Sequence, residues 1–366
     1  MRCFTHPGRV RRRPTSARFD PAHFRRFYRL VGGGSVYIQW LVASPAIHQL
    51  FNPPQLEFSS MSSQRIVSVF GATGLQGGAI VDALLKEGTF VPRAISRNPD
   101  SLASKALKDR GVEVVKGDSL DKEGLIRALQ GSEAVFAVTI PVFMHPNTEG
   151  KGEVVQGKNI VDAAKAVGVK FFIWSSLPSI SKLSYGKYKR VIGYEEKEVV
   201  RKYLESSGMS HASVMVAGFL ENLYTRPFMK ATEGGYHIAL PILKPTDLES
   251  FTWISRDLPA AVLGLLKNYS DPTKQINGKS YPVVTTTLQC AKLAELAGKA
   301  VGANVTFTTL PATGIPPMDE MLQAQAEYNG LYAATPVPNP ELLALGVKFS
   351  TVEEFMEEAL KPRFVQ

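Results

Sequence analysis

A doubly wound α/β fold, a parallel sheet with helices on both faces, is what this sequence predicts, and three observations predict it. Strand-like and helix-like segments alternate five times between residues 65 and 175. Their connections are short, so each crossover has to lie on a face of the sheet. A glycine-rich loop, Gly71-Ala-Thr-Gly74-Leu-Gln-Gly77-Gly78, falls between the first strand and the first helix. A length of 366 residues leaves room for one large unit of this kind and a smaller appendage.

The elements follow in order. Residues 65–70 (RIVSVF) form a β-branched run closed by Gly71, as a buried parallel strand should be. Residues 77–87 carry apolar side chains at 80, 81, 84 and 85, the spacing of a helix, and Gly88 stops it. Strands are expected at 91–96, 112–116, 134–139 and 170–175, with helices at about 100–110, 122–130 and 154–166 between them. A helix at 194–207, ended by Gly208, and a sixth strand at 212–217 complete a Rossmann-like domain.

Past residue 222 the alternation weakens and proline and glycine become frequent. Short helices are expected at 256–267, 287–302, 317–333 and 340–345, and Thr351 with Glu354 reads as a capping box. The expected division is an Arg-rich extension at 1–60, a dinucleotide-binding domain at 61–222 and a smaller α/β portion at 223–366. That last portion would close over the cleft.

Of the net charge of +9, the first 60 residues contribute +7 and the remaining 306 only +2. They hold nine arginines against Asp20 and Glu57, whereas the rest has 33 basic and 31 acidic side chains. A nearly neutral body argues against direct nucleic-acid binding. The tail, with Arg11, Arg12 and Arg13 in a row, has either no folded role or the composition of a mitochondrial transit segment. Residues 35–51 are too interrupted to span a membrane. Cys3 and Cys290 suggest no disulfide framework, and no Cys/His spacing suggests zinc.

The chemistry concentrates around the glycine loop. Glycine there permits a tight turn and close approach of a pyrophosphate to the helix N-terminus. The end of the second strand, Ser96-Arg97-Asn98-Pro99, has no carboxylate before Asp100. A cation at that place suits a ribose 2′-phosphate, and so NADP rather than NAD. Asp118 after the third strand either accepts from an adenine amino group or caps the next helix. Ser175 and Ser176 either orient a substrate or cap their strand.

These runs, with SRNP, GDSLD and the later GFLEN, resemble the NmrA-like family of atypical short-chain dehydrogenases over roughly residues 64–360. The likeness is greatest to its NADPH-sensing redox-sensor members. The resemblance implies that Gly71, Ala72, Thr73, Gly74, Leu75 and Gln76 cradle the pyrophosphate. It implies Arg97 on the 2′-phosphate, Asp118 and Ser119 beside the adenine, and Thr139, Ile140 and Pro141 beside the ribose. Lys197 falls where the family has its helix lysine, and Phe219, Leu220, Glu221 and Asn222 where it lines the nicotinamide. Two departures stand out: Ser101 replaces a second basic residue, and Arg201 replaces a glutamate.

Catalysis by a Tyr-x-x-x-Lys pair is not supported, because Gly193 stands four residues before Lys197. Tyr194, three before it, shares the helix face only approximately. Tyr185 and Lys189 have the spacing but read as a chance match, and His145 and His211 have no ligand partners in sequence. Glu195, Glu196 and Glu198 are expected to hold the charge on Lys197. The residues therefore favour an NADPH/NADP⁺-binding redox sensor acting through a protein partner, such as a transcription factor or a metabolic enzyme. The alternatives are an NADP-dependent oxidoreductase with Lys197 (and, more weakly, Tyr194) in its active site, and a pseudo-enzyme with a structural role. A homodimer without membrane attachment is expected in the cytoplasm, with the nucleus as a second location. A mitochondrial location follows if residues 1–60 direct import.

Overall fold

The computed structural model describes residues 64–140, 152–226 and 228–365, all within one compact unit, Met61–Gln366. Expectations about the Arg-rich tail, His145 and Pro141 lie outside the described residues.

The first half follows the periodicity of the sequence closely. Its order is β1 (Arg65–Phe70), α1 (Leu75–Glu87), β2 (Phe90–Ser96), α2 (Leu102–Asp109), β3 (Glu113–Lys116), α3 (Lys122–Ala128) and β4 (Ala134–Ala137). Then come α4 (Glu153–Ala166), β5 (Phe171–Ser176), the single turn α5 (Ile180–Leu183), α6 (Ile192–Ser206) and β6 (His211–Val216). Side chains alternate across each strand, so the sheet has two apolar faces. Val67, Val69, Phe171 and Ile173 pack beneath α1 and a later helix at Asp257–Asn268, and Phe70, Val135, Phe172 and Trp174 beneath α3, α4 and α6.

The later chain is β7 (Gly218–Phe219), the turn α7 (Asn222–Thr225), β8 (Met229–Thr232), β9 (Gly235–Pro241), β10 (Leu248–Thr252) and α8 (Asp257–Asn268). It continues with β11 (Lys279–Val283), β12 (Thr286–Gln289), α9 (Cys290–Val301), β13 (Asn304–Leu310) and α10 (Pro316–Glu327). The main sheet has the order β11-β6-β5-β4-β1-β2-β3, parallel throughout. Two smaller sheets, β12-β10-β7 and β13-β9-β8, belong to the C-terminal portion.

The expected boundary at residue 222 is crossed twice, because β11 returns to the main sheet beside β6 and α8 packs on its α1 face. The capping box is present, with Thr351 and Glu354 exchanging their bonds. The order of strands reverses between β1 and β4, and the crevice at their carboxyl ends is where such sheets bind ligands.

Candidate functional site

At that crevice, Gly71 leaves β1 with φ +66°, a left-handed conformation that glycine adopts without strain. The Gly74 N–H then closes a turn on the Gly71 carbonyl at 2.8 Å. A Cβ on Gly77 would lie 2.3 Å from the Gly71 oxygen, so this glycine lets α1 sit directly against the strand end. Gly74 differs: a Cβ there would meet only the Gly71 oxygen, at an ordinary 3.4 Å. It caps α1 with no side-chain bond, and the helix has no acid in its first turn. The N–H groups at this end of the helix favour an anion.

The loop opens onto a cleft of about 570 Å³ lined by all four β–α connections from β1 to β4. Gly71 and Thr73 form one wall, Ser96, Arg97, Asn98 and Ser101 a second, Gly117 to Leu120 a third, and Val138, Ile140 and Gln156 the floor. Arg97 is exposed and makes no hydrogen bond or ion pair to any described residue. Arg93, by contrast, is consumed by Glu113 and by the carbonyls of Ala128 and Gln130. Ser101 caps α2 by accepting from the Ser104 N–H. Asp118 accepts from the Leu120 N–H at 2.9 Å, and the N-cap of α3 is Asp121, which corrects the capping alternative for Asp118.

A row of polar residues on α4 holds these connections in place. Glu153, Gln156 and Asn159 recur every three residues and so share one face. Asn159 Nδ2 donates to the Ser119 carbonyl at 2.9 Å, and Gln156 Nε2 donates to the Ile140 carbonyl at 3.1 Å. Ser119 Oγ donates to Gln156 Oε1 at 3.3 Å. Sequence reasoning missed all three, although polar residues at this spacing on an apolar helix were a usable signal.

Glu153 is the partner of Lys197. Nζ donates to Glu153 Oε2 at 2.7 Å and to Thr139 Oγ1 at 3.2 Å, inside the protein. Thr139 Oγ1 in turn donates to the same carboxylate oxygen. Gly157 makes the meeting feasible, because a Cβ there would sit 2.5 Å from Val200, holding α4 away from α6. The Trp174 indole N–H donates to the Lys197 carbonyl at 3.1 Å, which pins α6 to β5.

The glutamates adjacent to Lys197 do other work, contrary to expectation. Neighbours one or two residues apart do not share a helix face. Glu195 accepts from Ser179 Oγ and the Ser181 N–H, and Glu196 from the Glu153 N–H. Burial alone would raise the Glu198 carboxyl, yet hydrogen bonds from Arg201 and Lys182 hold it down at about 2. Lys182 thus ties the α5 segment to α6 through Glu198, and Arg201, the departure from the family pattern, braces the same carboxylate from within α6.

Tyr194 packs with Tyr188, Val191, Ala217 and Tyr332. Burial, and secondly the Glu249 charge, push its phenol well above the ordinary tyrosine range. Tyr185 is 97 % exposed, far from any pairing of the dehydrogenase type. Ser175 Oγ donates to Gln76 Oε1 at 2.7 Å, locking the glycine loop to β5, while the buried Ser176 Oγ has no partner among the described residues. His211 is a buried histidine whose Nδ1 meets the Met209 carbonyl.

In the segment 219–222, Leu220 is fully buried in the C-terminal core. Glu221 accepts from the N–H groups of Ile254 and Ser255 and from Ser255 Oγ, just ahead of α8. Phe219 and Asn222 remain partly exposed beyond β6. Among the described residues no cluster of His, Cys, Asp and Glu could hold a metal, and no helix is long and apolar enough to cross a membrane.

Residues 63–356 match the NmrA-like family. An NmrA-like family domain-containing oxidoreductase of Aspergillus flavus is 30% identical over 315 residues, 80% of this chain and 92% of its own length. An NmrA-like family domain-containing protein of Dictyostelium discoideum is also 30% identical, over 66% of this chain and 79% of its own. Among solved structures, NmrA, a negative transcriptional regulator in complex with NAD, superposes with TM-score 0.67 at 20% identity, covering 82% of this chain and 97% of its own. The same regulator has also been solved with NADP. An NADPH-dependent quinone oxidoreductase from Escherichia coli, in complex with NADPH, gives TM-score 0.61 at 22% identity, covering 80% and 99%. On the extent of the family match and the identity with the Aspergillus flavus relative, the chain belongs to the NmrA-like family.

Proposed function

We propose that the protein binds NADP(H) in the cleft at the carboxyl ends of β1–β4 and acts as an NADPH-dependent oxidoreductase. The observation that carries the binding is Arg97, a cation with no partner among the described residues, lining a cleft whose second strand ends without a carboxylate. The open face of Gly74 and the uncapped start of α1 fit a pyrophosphate in the same cleft. Gly71 to Gln76 would hold the pyrophosphate, Arg97 the 2′-phosphate, Asp118 and Ser119 the adenine end, and Thr139, Ile140 and Pro141 the ribose. Phe219 and Asn222 are the members of 219–222 with side chains left to face the nicotinamide end.

When bound, the nicotinamide supplies the hydride. Lys197 carries a proton at Nζ, and Glu153 Oε2 and Thr139 Oγ1 fix where it is held. In this reading the buried lysine handles the proton. The oxidoreductase names of curated relatives support turnover.

A redox-sensor reading has its own support. The place four residues before Lys197 is Gly193, so the chain lacks the phenol that conventional dehydrogenases use. In that reading NADPH and NADP⁺ stabilise different affinities for a protein partner. One assay separates the two: NADPH oxidation by the purified protein with a panel of carbonyl and quinone compounds. Turnover that Lys197→Met removes while NADPH still binds supports the reductase. Absence of turnover, with NADPH and NADP⁺ giving distinct proteolysis patterns, supports the sensor.

A further inference from the structure

Gln156 sits inside the cleft and has no task among the cofactor contacts proposed above. It is 4 % exposed and lines the floor, where the connection after β3 meets the residues after β4. Its amide holds Ile140 at two points. Nε2 donates to the Ile140 carbonyl at 3.1 Å, and Oε1 faces the Ile140 N–H at 3.5 Å. A carbonyl takes only a donor, so this pairing fixes which end of the amide is nitrogen.

The consequence falls on Ser119. Its hydroxyl meets Gln156 at Oε1, 3.3 Å away, and an amide oxygen can only accept. Ser119 therefore commits its one proton to α4 and has only lone pairs left for the cleft that it lines. Asn159, one turn further along α4, holds the Ser119 carbonyl at 2.9 Å, so hydroxyl and backbone are both fixed. Beside it, Asp118 Oδ1 is taken by the Leu120 N–H, and Oδ2 has no partner among the described residues. Gly117 brings this wall in close, since a Cβ there would lie 2.6 Å from Ile95 of β2. The wall from Gly117 to Leu120 thus presents two side-chain acceptors and no side-chain donor.

We propose that Gln156 is a positioning residue that sets base specificity: by fixing Ser119 as an acceptor, it makes the cleft select a purine with a 6-amino group, adenine, over one with a 6-oxygen, hypoxanthine. The inference rests on the cofactor reading and names the group by which the base is chosen. The amino hydrogens find the Ser119 lone pairs and Asp118 Oδ2. An oxygen in the same place faces two acceptors and stays unpaired, which is how a site built for an N–H rejects the analogue lacking it. Without Gln156 the hydroxyl is free to turn its proton toward that oxygen.

The test is calorimetric titration of the full chain with NADPH and with its hypoxanthine analogue, in which oxygen replaces the 6-amino group. The unmodified protein should favour NADPH by about tenfold. Gln156→Met fills a similar space without an acceptor and should lower that ratio to about threefold, the part that Asp118 keeps. Gln156→Glu retains an oxygen facing Ser119 and should retain the ratio. Ser119→Ala, which leaves α4 intact, should lower the ratio as Gln156→Met does, and adding Gln156→Met to it should change the ratio no further. Asn159→Ala releases the Ser119 carbonyl but not its hydroxyl, so both affinities should fall alike at constant ratio. Equal binding of the two dinucleotides by the unmodified protein overturns the proposal and leaves the cofactor reading standing, as does a ratio that neither Gln156→Met nor Ser119→Ala lowers. Binding of neither dinucleotide overturns the cofactor reading and the proposal with it.

Discussion

Lys197 and Glu153 meet across 44 positions of sequence, and their pairing decides the electrostatics of the site. Removing one partner strands the other charge in the interior, which typically costs about 3–5 kcal/mol. Glu153→Leu alone should therefore destabilise by that order in urea unfolding. Adding Lys197→Met should recover most of the loss; additive losses would show that the two do not act as a pair. Glu249 makes a second prediction. Its carboxyl rises from the ordinary 4.5 to about 8 on folding, so between those values the folded chain keeps a proton that the unfolded chain has released. Stability is then greatest below the window and falls as pH rises through it. Thermal unfolding at pH 5 and pH 9 should show a drop on the order of several degrees that Glu249→Gln removes. Neither carboxylate was legible beforehand. Lys197 stands out by its helix position, but its partner is set by how α4 packs on α6, and sequence neighbours such as Glu196 point elsewhere.

The elements that were legible are those in which one physical signal dominates. β1 to β6 are short apolar runs separated by helical periods, and glycines such as Gly88 and Gly208 end the helices with positive φ. β11 was hidden because Pro282 sits inside it. An edge strand tolerates a residue without an N–H, and β11 lies at the edge of the main sheet. β9 and β13 were hidden because their side chains are mostly half-buried or exposed. The β1–α1 connection predicts a contrast between two glycines. Gly77→Ala places a methyl 2.3 Å from the Gly71 carbonyl and should lower the melting temperature and abolish NADPH binding together. Gly74→Ala has an ordinary 3.4 Å contact, so the fold should hold while NADPH affinity drops, by about tenfold. Equal melting losses in both variants would mean that Gly74 serves packing and not the ligand.

At the scale of the whole molecule, the strand order places the loops from β1 to β4 around one crevice, the place where sheets of this kind bind ligands and where we propose a dinucleotide. The uneven charge matters here too. With +7 of the +9 in residues 1–60, the nearly neutral body offers an anionic ligand no strong general field, so the proposed cofactor would be held by specific cations. In the proposed reading Arg97, which lines the cleft, meets the 2′-phosphate, and Ser101 adds no second cation. The most direct test is titration of the purified chain, and of Arg97→Asp, with NADPH and NADH by intrinsic fluorescence. The unmodified protein should prefer NADPH by at least about tenfold, the worth of one charge-assisted contact, and Arg97→Asp should lose that preference. Equal affinity of the unmodified protein for NADPH and NADH would contradict the account.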